Sequence, residues 1–236
     1  MIPKPTSLSS PGRAGLFSRF TRMIARTDPR WFALIASSLI SLLALFGIIQ
    51  RYFIVDWRWA NLDSEAAVGK WIASGLLWIA AGCWFLVAMT GRDRSRAVWV
   101  WWPALAWLAF DEGNAIHERI EKWSGLDWQL IYLPVIAVAG LAGLRVLLDH
   151  RNDLTTARVL VAGGVAWVIA LLLELLQNWG GPPIDWTFYS PMMISEEIIE
   201  MIGSTLFVIA GLLVLRAPPA SLEPDRGQRE HLAEPH

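Results

Sequence analysis

Asp111, Glu112, His117 and Glu118 fall within eight residues of the stretch "AFDEGNAIHERIEKW" (109–123), directly after one of the more apolar runs in the chain. Glu196, Glu197 and Glu200 form a second group in "SEEIIEMIG", and Glu174 interrupts the apolar "IALLLELLQNW". Carboxylates and an imidazole are the side chains that hold divalent cations and move protons. Uncompensated carboxylates are costly in apolar surroundings, so these seven acids need a neutralising partner. Protons or a divalent cation would serve, with His117 as the one nitrogen ligand of the set. The nearby bases are Arg119 and Lys122.

The elements that carry these residues are apolar helices. Of 236 residues, 55% are hydrophobic and only 17% charged, and 15 are Trp. Soluble domains carry about 25% charged residues, so this composition places the chain in a membrane. Six apolar segments are legible: Trp31–Ile49, Trp71–Met89, Ala97 into the acidic stretch, Leu130–Leu148, Val159–Gln177 and Ile194–Leu215. Each approaches the roughly 20 residues that a spanning helix needs. None alternates in polarity as the strands of an outer-membrane barrel do. The expected fold is therefore all-α and polytopic, with six transmembrane helices in one domain over 30–216. A basic N-terminal tail precedes it over 1–29, and a disordered tail follows over 217–236.

Basic residues orient the bundle. Lys4, Arg13, Arg19, Arg22, Arg26, Arg30, Arg92, Arg94, Arg96, Arg145, Arg151, Arg158, Arg216, Arg226 and Arg229 fall on one side, leaving Arg51, Arg58, Lys70, Arg119 and Lys122 on the other. The first side is expected to be cytoplasmic, with both termini there and the chain in a bacterial inner membrane. The first apolar run is too long for a signal peptide, and no small-residue cleavage site follows it before "QRYF". "GRAGLFSRFTRMIAR" spaces Leu16, Phe20, Met23 and Ile24 among arginines, suiting an amphipathic surface helix or a basic tail. The C-terminal "APPASLEPDRGQREHLAEPH" is Pro-rich and charged, and its His231 and His236 lack neighbours that suggest a site. Cys83, the single cysteine, lies in an apolar run and reads as a packing residue.

Depth ties the acids together. Asp111 lies 15 residues from Arg96, Glu174 lies 16 from Arg158, and Glu200 lies 16 from Arg216. At a helical rise of 1.5 Å per residue, all three sit about 22–24 Å from the cytoplasmic boundary. In a hydrocarbon core about 30 Å thick, that is one level in the outer half. A second level about 5–10 Å further out would hold His117, Glu118, Gln177, Asn178, Glu196 and Glu197. On a continuous helix Asp111, Asn114, His117, Glu118 and Glu121 share one face, while Glu112 points about 100° away from Asp111. Glu196, Glu197 and Glu200 share a face with Gly203 and Ser204, small residues that suit close helix packing.

The donor set narrows the chemistry. Helix-bundle di-iron sites use Glu-x-x-His motifs, of which this chain has none, and catalytic zinc favours more nitrogen ligands. A carboxylate-rich set suits Mn²⁺, Mg²⁺ or Ca²⁺. No phosphate-binding glycine loop, nucleophile elbow or zinc-protease motif occurs, and the arginines form no nucleic-acid patch. "FDEGNAIHERI" with "SEEIIEMIG" resembles a group of uncharacterised bacterial multi-helix membrane proteins sharing D-E-x4-H-E and E-E-x2-E-M-x-G motifs. That resemblance covers the third and sixth segments. It implies that Asp111, Glu112, His117, Glu118, Glu196, Glu197 and Glu200 belong together, and it brings no activity.

The expected metal set is therefore Asp111, Glu112, His117, Glu118, Glu174, Glu197 and Glu200, with a divalent ion as the cofactor. The partners are the lipid bilayer and a cation, and no nucleic acid. Three functions fit: cation or proton binding coupled to transport, a membrane metalloenzyme acting on a lipid or exported small molecule, and a non-catalytic membrane subunit. Against transport, the inner portions of helices three, five and six carry no matching polar path. Trp57, Trp59, Trp123, Trp128, Trp179 and Trp186 on the outer side, with Trp99, Trp101 and Trp102 on the inner, fit interfacial belts. Trp179 and Trp186 could alternatively wall a pocket.

Overall fold

The computed structural model describes residues 13–53, 68–92, 95–179 and 186–217, with side chains over 17–49, 68–92, 95–177 and 191–217. Trp57, Trp59, Arg58, Arg94, the side chains of Asn178, Trp179 and Trp186, and the C-terminal residues from 218 onward lie outside that description.

Eight helices and no strand occur among the described residues: α1 (Arg13–Ala25), α2 (Pro29–Phe53), α3 (Val68–Thr90), α4 (Val98–Asn114), α5 (Ile116–Ser124), α6 (Trp128–Asp149), α7 (Leu154–Trp179) and α8 (Trp186–Arg216). Five of them, α2, α3, α6, α7 and α8, are long and apolar enough to cross a membrane. The third apolar segment is the shorter α4, of 17 residues. Each apolar segment read from the sequence coincides with one of these six helices, because a lipid environment demands helices that satisfy their own backbone.

α3 and α8 form the centre. α8 packs on α1, α2, α3 and α7, while α4 lies between α3 and α6. α4 runs antiparallel along α3, with the Ser74 hydroxyl near the start of α3 donating to the Ala109 carbonyl near the end of α4 at 2.7 Å. At the opposite end of the bundle, Arg92 after α3 donates to the Leu215 and Ala217 carbonyls at the end of α8. Arg216 also reaches Asp28, just before α2, at 3.7 Å. The start of α2, the end of α3 and the end of α8 therefore share one end, the arginine end.

Close packing is bought with small residues at defined heights. A Cβ on Gly203 would fall 2.6 Å from Trp167 Cδ1 and 3.2 Å from the Gly163 carbonyl, so α7 and α8 meet backbone to backbone here. A Cβ on Gly211 would fall 2.8 Å from the Cys83 Cβ, so the Cys83 side chain packs on the α8 backbone, and Cys83 is buried. The core of the arginine half holds Leu77, Trp84, Val87, Val208 and Leu215, all fully buried. α1 is helical, with Phe20 and Met23 exposed and Ile24 packed against this core. Arg145 is exposed and pairs with Asp149 at 3.0 Å.

Candidate functional site

The other end of the bundle is built around polar groups. α4 stops at Asn114, and Ala115 adopts a left-handed conformation (φ 47°, ψ 47°) that only about one non-glycine residue in several tens adopts. The chain then restarts as α5 in a new direction. The first N–H groups of a helix lack partners within it. Asp111 supplies one across the break, its Oδ1 accepting the His117 N–H at 3.0 Å.

Asp111 accepts three hydrogen bonds in all. The same Oδ1 accepts the Tyr132 hydroxyl at 2.9 Å, and Oδ2 accepts His117 Nδ1–H at 2.6 Å. A carboxylate that binds one ring nitrogen fixes the tautomer and turns the other nitrogen outward. His117 Nε2 is the nitrogen left to face the cavity, 4.0 Å from Glu118 Oε1. Trp128 backs the imidazole, with ring centroids 4.9 Å apart. Its indole N–H donates to Glu174 Oε1 at 2.6 Å, while Gln129 Nε2 donates to Glu174 Oε2 at 3.2 Å. Glu174 is thus held in place by α6.

On the opposite wall Glu112, Glu197 and Glu200 bring carboxylate oxygens within 4.8 Å of one another. Glu112 is 8% exposed and Glu197 is 5% exposed. Glu112 Oε1 and Glu197 Oε2 are buried and accept no hydrogen bond among the described residues. Lys70, from the start of α3, reaches into this group. Its Nζ lies 3.6 Å from Glu112, 3.6 Å from Glu197 and 3.5 Å from Glu118. Glu196 accepts from Gln177 at 2.7 Å.

All seven sequence-predicted residues, Asp111, Glu112, His117, Glu118, Glu174, Glu197 and Glu200, line one cavity of about 250 Å³, together with Glu196, Glu121 and Gln177. Three expectations need correction. Glu112, expected to face away, is central. The 100° between it and Asp111 is real, but α4 has protein on both flanks, so Asp111 faces α6 and Glu112 faces α3 and α8. The single helical face drawn from Asp111 to Glu121 does not exist, because the helix breaks at Ala115. The local bases are not Arg119 and Lys122, which are exposed on α5, but Lys70.

Sequence reasoning therefore missed Lys70, Tyr132 and the part played by Trp128. Trp128 is buried and hydrogen-bonded within the site rather than placed in a belt, whereas Trp123 is 90% exposed and fits the belt. Tyr132 carried a usable signal, since a phenol inside an apolar run requires a hydrogen-bond partner.

The chain belongs to the family described as a domain of unknown function, DUF8692, whose family model matches residues 58–215. The matched region contains the whole cavity and leaves out α1 and α2. No curated protein and no solved structure matches the chain.

Proposed function

We propose that this family member crosses a bacterial inner membrane six times, with both termini cytoplasmic, and binds a divalent cation in the outer half of the bilayer. The six-fold crossing is supported by α4. It lies antiparallel to α3 and ends beside the acidic group, where α6 begins with Trp128 bonded to Glu174. The distribution of basic residues supports the orientation.

The single observation that carries the cation reading is the convergence of three carboxylates, Glu112, Glu197 and Glu200, within 4.8 Å of one another, with Lys70 shared between Glu112 and Glu197 and Glu197 Oε2 buried without a hydrogen bond among the described residues. Buried acceptors without donors are costly, and a cation relieves them. Glu112, Glu197 and Glu200 would hold the ion, with His117 Nε2 and Glu118 at the rim of the same cavity. An oxygen-rich set with at most one nitrogen favours Mn²⁺, Mg²⁺ or Ca²⁺. Lys70 shares these carboxylates and would yield part of them to an ion on binding.

Binding, rather than passage, is what the geometry supports. Below the cavity the bundle closes on Trp84, Leu77 and Val208, fully buried side chains that an ion on its way through the membrane would have to displace. A second reading, a membrane metalloenzyme, is favoured by an apolar cavity adjoining the acidic one. A metal-bound water would be its nucleophile.

Titration of the purified protein with Mn²⁺, beside Glu197→Gln, His117→Ala and Glu174→Gln, tests the cation reading. One ion per chain is expected in the wild type, with binding lost in Glu197→Gln and weakened in His117→Ala. Failure of the folded wild type to take up Mn²⁺, Mg²⁺ or Ca²⁺ would leave the carboxylates to protons and Lys70.

A further inference from the structure

The wall of the acidic cavity is also the wall of a second one. Leu108, Trp128, Trp167 and Leu171 line both. Beyond them a cavity of about 480 Å³ runs between α6 and α7 as far as Leu147 and Leu160. Ligand pockets commonly measure roughly 300–1,000 Å³. Its lining is almost wholly apolar, and α6 and α7 touch each other little along it. Exposed Leu144 on α6 and Val165 on α7 are part of that lining, so the cavity opens sideways, where lipid would lie.

Two glycines keep the space clear. A Cβ on Gly140 of α6 or Gly164 of α7 would meet no atom within 4 Å, and both residues line the cavity. This differs from Gly163 and Gly203, whose absent side chains are needed for helix contact. Gly140 and Gly164 do no such packing.

We propose that one amphiphile occupies both cavities, with an alkyl chain between α6 and α7 and a cationic amine head among the carboxylates. It rests on the reading of the acidic cluster as a cation site and adds the molecule that carries the charge. Charge complementarity selects the head: the acidic cavity is lined by carboxylates from α4, α5, α7 and α8 against Lys70 and His117 as its bases. The junction agrees with this choice. Trp128 and Trp167 stand where chain meets head, and indole faces are favoured neighbours of ammonium groups. An anionic head would meet the same carboxylates as repulsion.

The test titrates the protein in phosphatidylcholine nanodiscs with radiolabelled hexadecylamine, with hexadecanoate, and separately with Mn²⁺. Hexadecylamine should saturate at one per chain, bind at least tenfold tighter than hexadecanoate and be displaced by Mn²⁺. Gly140→Leu with Gly164→Leu should weaken the amine at least tenfold and leave Mn²⁺ affinity unchanged, which also reports an intact fold. Should that pair lose both ligands, Val165→Trp at the exposed rim takes its place, with the same expectation.

Equal, unsaturable uptake of amine and carboxylate would mean ordinary lipid between the helices and overturn the proposal. So would amine binding that ignores the cavity-filling variants, or a second copy covering the α6–α7 face in cross-linking while the amine fails to bind. Mn²⁺ binding with no amine binding overturns this inference alone. Loss of both in the wild type overturns the cation reading beneath it, whereas amine binding without Mn²⁺ supports the inference and removes the metal ion from that reading.

Discussion

The two halves of the bundle use the same helices for opposite purposes. Toward the arginine end, α3 and α8 interlock over Gly211 and Cys83, and the Trp84 indole N–H is satisfied by the Phe207 carbonyl at 3.1 Å. Toward the other end the helices part around a cavity of about 250 Å³ and aim their charges at one another. Helices in lipid gain no hydrophobic drive toward each other and depend on close packing and interhelical hydrogen bonds. The apolar half supplies that packing. The charged half gives up close packing to gather buried carboxylates around Lys70. Stability and chemistry are thus separated along the helix axis, and substitutions at the two ends should separate in their effects.

The largest contrast is expected between Trp84→Ala and Glu197→Gln. Emptying the Trp84 site should lower unfolding stability by about 3–5 kcal/mol, the usual cost of removing a buried large aromatic side chain. It also leaves the Phe207 carbonyl without its indole donor. The molecules that remain folded should bind Mn²⁺ as the wild type does. Glu197→Gln should do the reverse, with thermal stability held or raised, because a charge with an orphaned oxygen is removed from the interior, and Mn²⁺ binding lost. Thermal melts and Mn²⁺ titrations of the two variants read both axes. If Trp84→Ala abolished binding in the folded fraction, or Glu197→Gln unfolded the chain, the separation of the halves would fail.

Asp111→Asn comes next, and asks whether the charged half is organised or merely crowded. Asp111 receives three donors, two of them from His117, so one part it plays is to hold the imidazole. Asparagine keeps the size but disfavours the tautomer that presents a bare Nε2. Loss of such a supporting carboxylate commonly costs about 10–100-fold in metal affinity, and this is the range expected for Mn²⁺. An unchanged affinity would remove His117 from the ligand set.

This division explains what the sequence could and could not disclose. The apolar helices were legible because lipid permits little else, and the acids were legible as one group because their depths matched. Their arrangement was not. Alanine gives no sign of a left-handed residue, so the break at Ala115 was invisible and the angular reading ran on through it. Lys70 was counted with the basic residues that set topology, although it lies next to the start of an apolar run and at the level where the acids lacked a counter-charge. Trp128 was similarly absorbed into an interfacial belt. Residue type and depth survive without coordinates, whereas pairing across helices does not.

Lys70→Met is expected to act in the opposite direction to the carboxylate changes. The ammonium lies within 3.6 Å of Glu112 and Glu197 and competes with any ion for them. Removing it leaves the carboxylates with greater need of a cation. A rise of roughly tenfold in Mn²⁺ affinity, about 1.4 kcal/mol, is expected in the same titration, with metal-free stability lowered and restored by Mn²⁺. Weaker Mn²⁺ binding in this variant would mean that Lys70 positions the ligands instead of competing for them.

The smallest effect lies at the arginine end, outside the spanning segments, and sharpens the claim that this half is only structural. Asp153 precedes α7. Its Oδ1 accepts the N–H groups of Thr155 and Thr156 at 3.1 and 3.3 Å, and its Oδ2 accepts the Thr156 hydroxyl at 2.5 Å. Slight burial opposes ionisation, but these bonds outweigh it and hold the carboxyl below its ordinary 3.8. A depressed folded value means stability that is present above the unfolded value and lost as pH falls through the folded one. Asp153→Ala should therefore cost about 1 kcal/mol, as the loss of an N-cap does. The gap between variant and wild-type melting temperatures should stay constant from pH 8 to about 5 and close only below the ordinary carboxyl range. Because the cap lies at the far end of α7 from Glu174, Mn²⁺ affinity should not move at any of these pH values. A shift in affinity here would show that the apolar half transmits what happens at its end to the cavity, and the two regions would then have to be treated as one.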